Sequence, residues 1–473
     1  MRLVRTGTWC QLTDLGDREA VARLLDRRFS YPVEGHVFAP AYRAGTWDGR
    51  ARLVRRLRGG GLAYPAGLHP EVLRLLAAQG LAPEVVEDFP PAEPVGPWAW
   101  AGPELRPYQV EAVDAVVAYG GGLVRLPVRT GKTALAAELI RRLGVRALVL
   151  VSSDLLRRQT IAVLREALPG ARVGAVGEGA WEADGDLCVA TLQSLCPRLR
   201  TRDFRAFARR WPLVVLDEVH HLQSEGDAWR NVALALDARY KVGLSATVEV
   251  GRKRQNETGA IWLRGLCGPV VYSRTLSEMI EAGYLVRPTI RFVRHGAPPL
   301  AARRWSPAVY RDGITDCAER NARIVAEAVA YAREGRRVLV DVSRVGHARR
   351  LLSLLQRGYE GTVALLLGAS PAEERARVLR AWAAGRIGIV VGTILGEGVD
   401  VPALEVVVNA EGGKARTSTI QRLRNLTVAP GKRGAVVVEL VDDHQAQLRA
   451  WTLERLRIYR SEPAFCLRVE GRS

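Results

Sequence analysis

Lysine is almost absent from this 473-residue sequence, although the chain is strongly basic. Five lysines stand against 64 arginines, and the formal net charge is +19 with a pI of about 10.3. The arginine bias fits a GC-rich genome, and it does not by itself indicate heat stability. The excess of positive charge nevertheless indicates a polyanionic partner, and nucleic acid is the first candidate.

Cysteine pairs, metal-binding histidine motifs and long apolar runs are missing as well. The six cysteines include no C-x-x-C and the seven histidines no H-E-x-x-H, which argues against a zinc ribbon, an iron–sulfur cluster and a disulfide framework. No run reaches the roughly 18 apolar residues of a membrane span, and the first residues contain no signal-peptide core. We therefore expect a cytoplasmic protein without membrane contact.

Short aliphatic runs alternate with helical patterns in two stretches, which predicts two α/β lobes with parallel sheets. Before the lobes, short mixed elements predict a small α+β domain, and PPAEPVGPW indicates a stiff linker with few contacts across it. The predicted segments are an N-terminal domain 1–89, a linker 90–102, a first lobe 103–250, a connecting region 251–335, a second lobe 336–445 and a basic C-terminal extension 446–473.

A candidate phosphate-binding loop lies in RLPVRTGKTAL, residues 125–135. Leu126 stands where the first glycine of G-x-x-x-x-G-K-[ST] is expected, so GKT alone is a weak signal. An aliphatic strand before the loop and a helical pattern after it supply the required context. Backbone N–H groups would hold the phosphates, the lysine would neutralise their charge, and the threonine hydroxyl would reach magnesium. The predicted loop contacts are Arg129, Thr130, Gly131, Lys132 and Thr133.

Paired carboxylates end the aliphatic run of VVLDEVHH, residues 214–221. Asp217 is suited to hold magnesium, and Glu218 to orient and activate an attacking water. The alternative is a solvated strand end, which the phosphate loop upstream disfavours.

In combination, the motifs PVRTGKT, ATLQSL, LDEVHH, LSAT, VVGTILGEGVDVP and QRLRN resemble those of the superfamily-two helicases of the DEAD/DEAH-like type. The resemblance covers residues 103–445. It implies two tandem RecA-like P-loop lobes with ATP and Mg²⁺ bound in the cleft between them. The stretch 34–76 resembles the first domain of phage recombination helicases of the UvsW type.

The resemblance also implies a role for residues outside the loop. Gln109 would read adenine with Tyr108 or Arg106 beside it, although an exposed glutamine in a helix-start turn is the alternative. His220 would couple hydrolysis to lobe movement, or be a core histidine. Gly398 and Asp400 complete the nucleotide contacts, and the catalytic set is Lys132, Asp217, Glu218, Gln421 and Arg424. The nucleic-acid set is Arg43, Trp47, Arg50, Ser152, Arg157, Thr191, Gln193, Ser343, Arg344 and Thr393.

The closing motif departs from the family pattern Q-x-x-G-R-x-x-R, because the sequence reads QRLRNLTVAPGK. Without a gap, the two arginine positions fall on Asn425 and Val428. With one residue missing, the first becomes Arg424, which we prefer as the arginine that reaches the γ-phosphate. Arg422 is its competitor, since the two cannot face the same way in a helix.

The basic segment 43–58 carries six arginines against one acid, interleaved with Trp47. Such a surface suits a nucleic-acid backbone and exposed bases, and the alternative is a strand face packed by the tryptophan. The sequence thus predicts an ATP-dependent helicase or translocase that acts on single-stranded and branched DNA, with recombination or replication proteins as further partners. The alternatives are an RNA helicase, the motor of a repair or restriction complex, and a non-catalytic ATP-gated DNA-binding protein.

Overall fold

The computed structural model describes residues 1–33, 35–220, 227–246, 254–301, 305–393, 401–413, 419, 423 and 425–471. The chain divides into two compact units. One contains Met1–Pro127 and Gly131–Arg274, and the other contains Val128–Thr130 and Thr275–Ser473. Within the described ranges, no helix combines the length and the apolar character that crossing a bilayer requires.

The N-terminal part of the first unit is a mixed sheet covered by helices. Its strands are β1 (Arg2–Arg5), β2 (Trp9–Thr13), β3 (Ser30–Pro32), β4 (Arg50–Arg52), β5 (Arg55–Arg56), β6 (Leu62–Pro65) and β7 (Glu84–Glu87). Its helices are α1 (Arg18–Arg28), α2 (Pro40–Arg43) and α3 (His69–Ala77). The five-stranded order is β5-β6-β2-β1-β7, and β3 pairs separately with β4.

Residue patterns explain these N-terminal elements. In β2, Cys10 and Leu12 are buried while Gln11 between them is exposed, as the alternating faces of a strand require. Helix α1 begins where the Asp17 carboxylate accepts a hydrogen bond from the Ala20 N–H, which satisfies a donor that the helix leaves open. The sheet and helices enclose a common apolar cluster.

The large sheet of the first unit has the order β11-β10-β12-β9-β13-β14-β8-β15. Its strands are β8 (Gly122–Arg125), β9 (Ala147–Val151), β10 (Val173–Gly177), β11 (Ala180–Trp181), β12 (Leu187–Thr191), β13 (Leu213–Leu216), β14 (Tyr240–Ser245) and β15 (Val270–Ser273). The associated helices are α4 (Pro107–Tyr119), α5 (Lys132–Leu143), α6 (Asp154–Ala167), α7 (Leu192–Leu195), α8 (Arg202–Ala208), α9 (Asp227–Ala235) and α10 (Arg254–Cys267).

All strand pairs of this sheet are parallel except β10 with β11 at one edge. Strands such as β9 and β12 are buried along their whole length, which is why they read as continuous aliphatic runs. Parallel strands bring their carboxyl ends to one edge, where α/β proteins form their ligand sites. The loops after β8, β9, β12 and β13 therefore share that edge.

The second unit contains a seven-stranded, fully parallel sheet of order β18-β19-β17-β20-β21-β16-β22. Its strands are β16 (Pro288–Val293), β17 (Val338–Asp341), β18 (Val363–Leu366), β19 (Ile389–Gly392), β20 (Val406–Asn409), β21 (Ala435–Leu440) and β22 (Cys466–Val469). Its helices are α11 (Leu276–Glu281), α12 (Pro307–Tyr310), α13 (Ala318–Arg333), α14 (Val345–Gly358), α15 (Ala372–Ala383) and α16 (Ala446–Arg460).

Helix α16 contributes a fully buried arginine to the second unit. Arg455 donates from Nε to Glu439 Oε2 at 2.8 Å, and from Nη1 to the Gly412 and Gly413 carbonyls at 2.9 Å each. Because both charged groups are fully buried, each compensates the desolvation of the other. The segment predicted as a C-terminal extension is thus part of this unit, through α16 and the edge strand β22.

The predicted connecting region 251–335 is divided between the units. Helix α10 and strand β15 lie in the first unit, where β15 pairs with β8 at the sheet edge. Strand β16 and helix α13 lie in the second, where β16 occupies an inner position of the sheet.

The expectation of few contacts beyond the linker is wrong, because the N-terminal part shares its apolar cluster with Ile261 and Trp262 of α10. The Trp262 indole N–H donates to the Tyr31 hydroxyl at 3.0 Å. Lys241 of β14 is buried and donates to Thr8 Oγ1 and to the Ala233 carbonyl, each at 3.0 Å. Burial lowers the pKa of this lysine to about 8. A proline-rich stretch indicates where a linker lies in the sequence. It does not indicate whether the segments on either side of the linker pack against each other.

Candidate nucleotide and nucleic-acid site

The candidate phosphate loop joins β8 to α5, as the sequence predicted. Leu126, at the position of the missing glycine, is buried, and its N–H donates to the Ser245 carbonyl at 3.0 Å. This residue therefore extends the strand and is not part of the tight turn. The turn is made later, where Arg129 and Gly131 have φ angles of 68° and 72°.

Gly131 is required by two features of the turn. Its φ lies in the left-handed region, and a Cβ at this position would lie 2.6 Å from Gln109 Nε2. Arg129 adopts the same region with a side chain, at a cost of about 1–3 kcal/mol. Gly131 precedes Lys132, the first residue of α5, so Lys132 and Thr133 stand at the helix N-terminus, where anions are favoured.

Gln109 ties the start of α4 to this loop. Its carboxamide oxygen accepts from the Arg106 N–H at 2.8 Å, and its Nε2 donates to the Gly131 carbonyl at 3.2 Å. Gln109 and Tyr108 are buried, whereas Arg106 is exposed. The alternative of an exposed glutamine is wrong, and the adenine contacts stay a prediction.

The candidate carboxylates follow β13 at the same edge of the sheet. The Asp217 N–H donates to the Leu150 carbonyl at 3.0 Å, and Asp217 Oδ1 accepts from the Glu218 N–H at 3.0 Å. Glu218 has a φ of 47°, a strained conformation for a residue with a side chain. This turn aims Glu218 back at the phosphate loop, where its Oε1 lies 3.3 Å from Lys132 Nζ.

A chain of contacts continues from Glu218 to the end of β14. Glu218 Oε2 lies 3.3 Å from His220 Nδ1, which is also 3.1 Å from Ser245 Oγ. His220 and Ser245 are buried. Ser245 belongs to the LSAT motif, so His220 connects the candidate catalytic carboxylate to that segment. The sequence offered His220 only by resemblance, and nothing in it indicated the Ser245 contact.

The charge state of Glu218 is fixed by its neighbours. Burial alone would raise the pKa of this carboxyl, but the Lys132 charge and the hydrogen bond from His220 outweigh it and hold the pKa below its usual range. Glu218 is therefore an anion, which a residue that accepts a proton from water requires.

The oxygen atoms of Thr133 and Asp217 are the hard donors that magnesium prefers. Among the described residues, no group of three or more His, Cys, Asp or Glu could hold a metal ion.

Two further loops at this edge carry candidate nucleic-acid contacts. Strands β9 and β12 are neighbours, with Thr191 opposite Val151. Gln193 Nε2 donates to the Ser152 carbonyl at 2.8 Å, and Thr191 Oγ1 lies 2.9 Å from Ser194 Oγ. The structure thus brings three predicted contact residues together, although Thr191 itself is buried.

The structure does not support the predicted role of Arg157 as a nucleic-acid contact. Arg157 is buried and pairs with Asp154 at 2.8 Å and with Glu178 at 3.1 Å. Its guanidinium holds α6 against the turn after β10, so it is suited to an internal tie and not to a phosphate contact.

In the second unit, Ser343 and Thr393 follow the neighbouring strands β17 and β19. Ser343 and Arg344 are exposed. Gly398, Asp400, Gln421 and Arg424 lie outside the described residues, as does Arg422.

The closing motif is described only in part. Asn425 is buried and donates from Nδ2 to the Glu405 and Val436 carbonyls at 2.8 Å and 2.9 Å, while Val428 is 53% exposed. Asn425 therefore has an internal role, which disfavours the alignment without a gap.

In the N-terminal part, two of the three predicted contacts are used internally. The Trp47 indole N–H donates to the Arg50 carbonyl at 2.9 Å, and the Arg50 guanidinium donates to Ser30 Oγ and to the Ser30 carbonyl. Arg43 is exposed, as is the neighbouring Tyr42 at 38%, an aromatic residue that the sequence also placed with the basic segment. The sequence reading missed Phe38, which is 73% exposed.

Comparison with known proteins now identifies the family. Residues 102–250 match the Type III restriction enzyme, res subunit family, and residues 320–424 match the Helicase conserved C-terminal domain. The chain belongs to the superfamily-two helicases. The predicted fold class of two RecA-like lobes is confirmed.

Individual relatives extend this assignment. The chain is 26% identical over 383 residues to "DNA 3'-5' helicase XPB" of Kineococcus radiotolerans, covering 78% of this chain and 64% of the relative. It is 23% identical over 446 residues to "ATP-dependent DNA helicase uvsW" of Enterobacteria phage T4, covering 88% and 85%. The chain thus spans less than two thirds of the Kineococcus protein.

A solved structure of S. cerevisiae Dbp5 bound to RNA and ADP BeF3 superimposes with a TM-score of 0.55. It is 17% identical and covers 77% of this chain and 89% of that one. At this identity the likeness concerns the fold alone.

Proposed function

We propose that this chain is an ATP-dependent DNA helicase or translocase that acts on branched DNA. The observation that carries the proposal is the pair of Lys132 and Glu218, whose Nζ and Oε1 atoms lie 3.3 Å apart at the carboxyl edge of a parallel sheet. A lysine at a helix start and a carboxylate anion after a nearby strand are the parts that nucleoside triphosphate hydrolysis needs.

Nucleotide binding would exchange the partners of this pair. The β- and γ-phosphates would take the Lys132 ammonium, which frees the Glu218 carboxylate to orient a water molecule. Thr133 and Asp217 would contribute oxygen ligands to the magnesium that accompanies ATP. Gln109 would read adenine with whatever hydrogen-bonding capacity its ties to Arg106 and Gly131 leave.

DNA is the proposed polymer. The formal net charge of +19 favours a polyanion, and both curated relatives described above are named as DNA helicases. The 3'-5' direction in the name of the Kineococcus protein is the direction that we propose for this chain. RNA remains the alternative polymer.

Action on branched DNA is proposed from the N-terminal part. This region resembles the first domain of UvsW-type helicases, and the phage relative is matched over 88% of this chain. The exposed Phe38, Tyr42 and Arg43 place aromatic and cationic groups together, a combination that suits unpaired bases beside a backbone.

The test is ATP turnover by the full chain with no polymer, with single-stranded DNA, with a synthetic four-way junction and with RNA. We expect both the junction and the single strand to stimulate ATP turnover. We also expect the strands of the junction to separate only when ATP is present. Stimulation by RNA alone would contradict the proposal. Partial duplexes with a 3' or a 5' overhang test the direction.

A non-catalytic, ATP-gated DNA-binding protein is the second candidate. It is favoured by the irregular closing motif, because QRLRNLTVAPGK departs from the family pattern Q-x-x-G-R-x-x-R. It predicts that ATP changes DNA affinity without being hydrolysed, which the same turnover measurement distinguishes.

A further inference from the structure

Trp305 stands at the outer end of a group of aromatic side chains in the second unit and is 45% exposed. Its ring centroid lies 4.6 Å from that of Trp451 and 6.5 Å from that of Tyr310. On its inner side the group packs against Ile314 and neighbouring apolar residues. Core packing accounts for the inner rings and leaves the exposed face of Trp305 without a structural purpose.

The aromatic group is in contact with Ser343 and Arg344, two residues predicted to contact the nucleic-acid backbone. Tyr310 Oη lies 3.0 Å from Ser343 Oγ and donates to the Glu411 carbonyl at 2.8 Å. The guanidinium carbon of Arg344 lies 5.8 Å from the centroid of the Tyr310 ring. Tyr310 thus holds the loop that begins α14 beside the aromatic group.

Arg344 offers to solvent a guanidinium, a group that binds phosphate, and the exposed Ser343 precedes it in the same loop. An exposed indole next to them offers a flat apolar face, on which every base can stack. A nucleotide has both parts joined covalently, a charged phosphate and a planar base. A purely apolar protein partner would leave the guanidinium without a counter-ion.

We propose that Trp305 stacks on a base of a single strand whose phosphate is held by Arg344, and that Tyr310 is the positioning residue between them. This inference rests on the proposed function and adds a base contact to it. Stacking tolerates any base, as a motor that moves along a strand requires.

Binding of a short single-stranded DNA to the full chain, measured by fluorescence anisotropy without ATP, tests the contact. The variants are Trp305→Ala, Trp305→Phe and the control Leu453→Ala, which removes another exposed apolar side chain of the same unit. Each is measured with an ordinary strand and with an abasic strand of equal length.

We expect Trp305→Ala to weaken binding of the ordinary strand about tenfold and to leave the abasic strand unchanged. Trp305→Phe should retain most of the affinity, and Leu453→Ala all of it. The salt dependence of affinity should be the same in Trp305→Ala and wild type, whereas Arg344→Ala should reduce the slope by about one, the loss of one phosphate contact.

Equal losses on the two strands, or no loss on either, would overturn the proposal. If Trp305→Ala fails to fold, Trp305→Leu replaces it, because leucine keeps the apolar bulk without the aromatic face. Repeating the series with RNA shows which polymer the contact serves. Wild-type protein that binds the strand but hydrolyses no ATP would contradict the proposed function and not the base contact.

Discussion

Lys132 and Glu218 hold each other in a largely buried ion pair, their side chains 10% and 14% exposed. Each residue stands at the end of a different loop of the same parallel sheet. The Lys132 charge helps to keep the Glu218 carboxyl ionised, and we expect a nucleotide phosphate to compete with Glu218 for the lysine ammonium. Disruption of the ion pair by nucleotide is the first step that the arrangement predicts.

Replacing Lys132 with alanine should abolish ATP turnover, because the phosphates lose their main counter-ion and Glu218 loses the positive charge that lowers its pKa. Steady-state ATP hydrolysis and binding of a fluorescent ATP analogue measure the two effects. Arg141→Ala on the same helix, α5, is the control and should keep turnover. Turnover at the wild-type rate in Lys132→Ala would show that this loop does not bind the hydrolysed nucleotide.

Glu218→Gln should bind ATP normally and hydrolyse it at least about a hundredfold more slowly, since an amide cannot accept the proton of the water. The trapped ATP complex should keep its affinity for DNA. Pre-steady-state hydrolysis and filter binding separate these steps. An unchanged rate would assign water activation to another residue.

Arg424→Ala should reduce turnover at least about a hundredfold with little loss of ATP affinity, as the loss of an arginine that reaches the γ-phosphate does. Arg422→Ala should have a mild effect. The two variants are compared by kcat and by nucleotide affinity. The reverse order of severity would reassign the role to Arg422, and no effect from either would favour the non-catalytic candidate.

Deleting residues 1–89 should destabilise the first unit, because the deletion exposes Ile261 and Trp262 and removes Thr8 from the buried Lys241. The smaller change Thr8→Val should cost about 1–3 kcal/mol of unfolding free energy, since it leaves a buried donor with one partner fewer. Thr13→Val, at a hydroxyl that forms only a surface contact, is the control. Urea unfolding of wild type, Thr8→Val and Thr13→Val provides the comparison. Equal unfolding free energies in all three would contradict the docking role of Thr8.

The second unit should lose stability in mild acid through His347. Burial, followed by the charges of Arg320 and Arg350, lowers the pKa of this histidine to about 3 against the opposing effect of Asp316. Its Nε2 lies 2.8 Å from Asn321 Oδ1. The unfolded chain takes up the proton near pH 6.5, so the unfolding free energy should fall as the pH drops from about 6.5 towards 3, by up to about 1.4 kcal/mol per pH unit.

His347→Gln should remove this acid-dependent part, because glutamine does not titrate. The measurement is urea unfolding of wild type and variant across the acidic range. Above about pH 7, where the unfolded histidine is neutral too, the two curves should run parallel. Identical acid slopes in both proteins would assign the effect to other groups.

The sequence predicted the parts of the candidate site that follow from strand order. An aliphatic run before GKT and another before the carboxylates place Lys132 and Glu218 at one edge, because the strands are parallel. The 3.3 Å distance between Lys132 Nζ and Glu218 Oε1 follows from this arrangement of parallel strands and from the turn at Glu218. Leu126 looked anomalous in the motif, but it directly follows β8 and continues the hydrogen bonding to β14 through the Ser245 carbonyl.

Other features depend on partners that are distant in sequence. Arg157 stands in a motif-like position, but its use is decided by Glu178, which a turn after β10 brings beside it. Arg50 is drawn inward by Ser30 because β3 and β4 pair. Composition shows that arginines are abundant and does not show which of them already have a partner.

The buried position of Arg455 has a consequence for how the polypeptide is synthesised. Strand β16 leaves the ribosome early, and its neighbour β22 and helix α16 leave it much later. A nascent chain that has emerged only as far as residue 445 contains Glu439 without the guanidinium that neutralises it in the finished sheet. In such an intermediate the Glu439 carboxylate has to stay hydrated. Water is therefore not excluded from the side chains around β21 while translation is still in progress at that point. Closure awaits the emergence of α16, and a pause in translation before residue 446 would lengthen the time during which apolar strands stay open to chaperones or to aggregation.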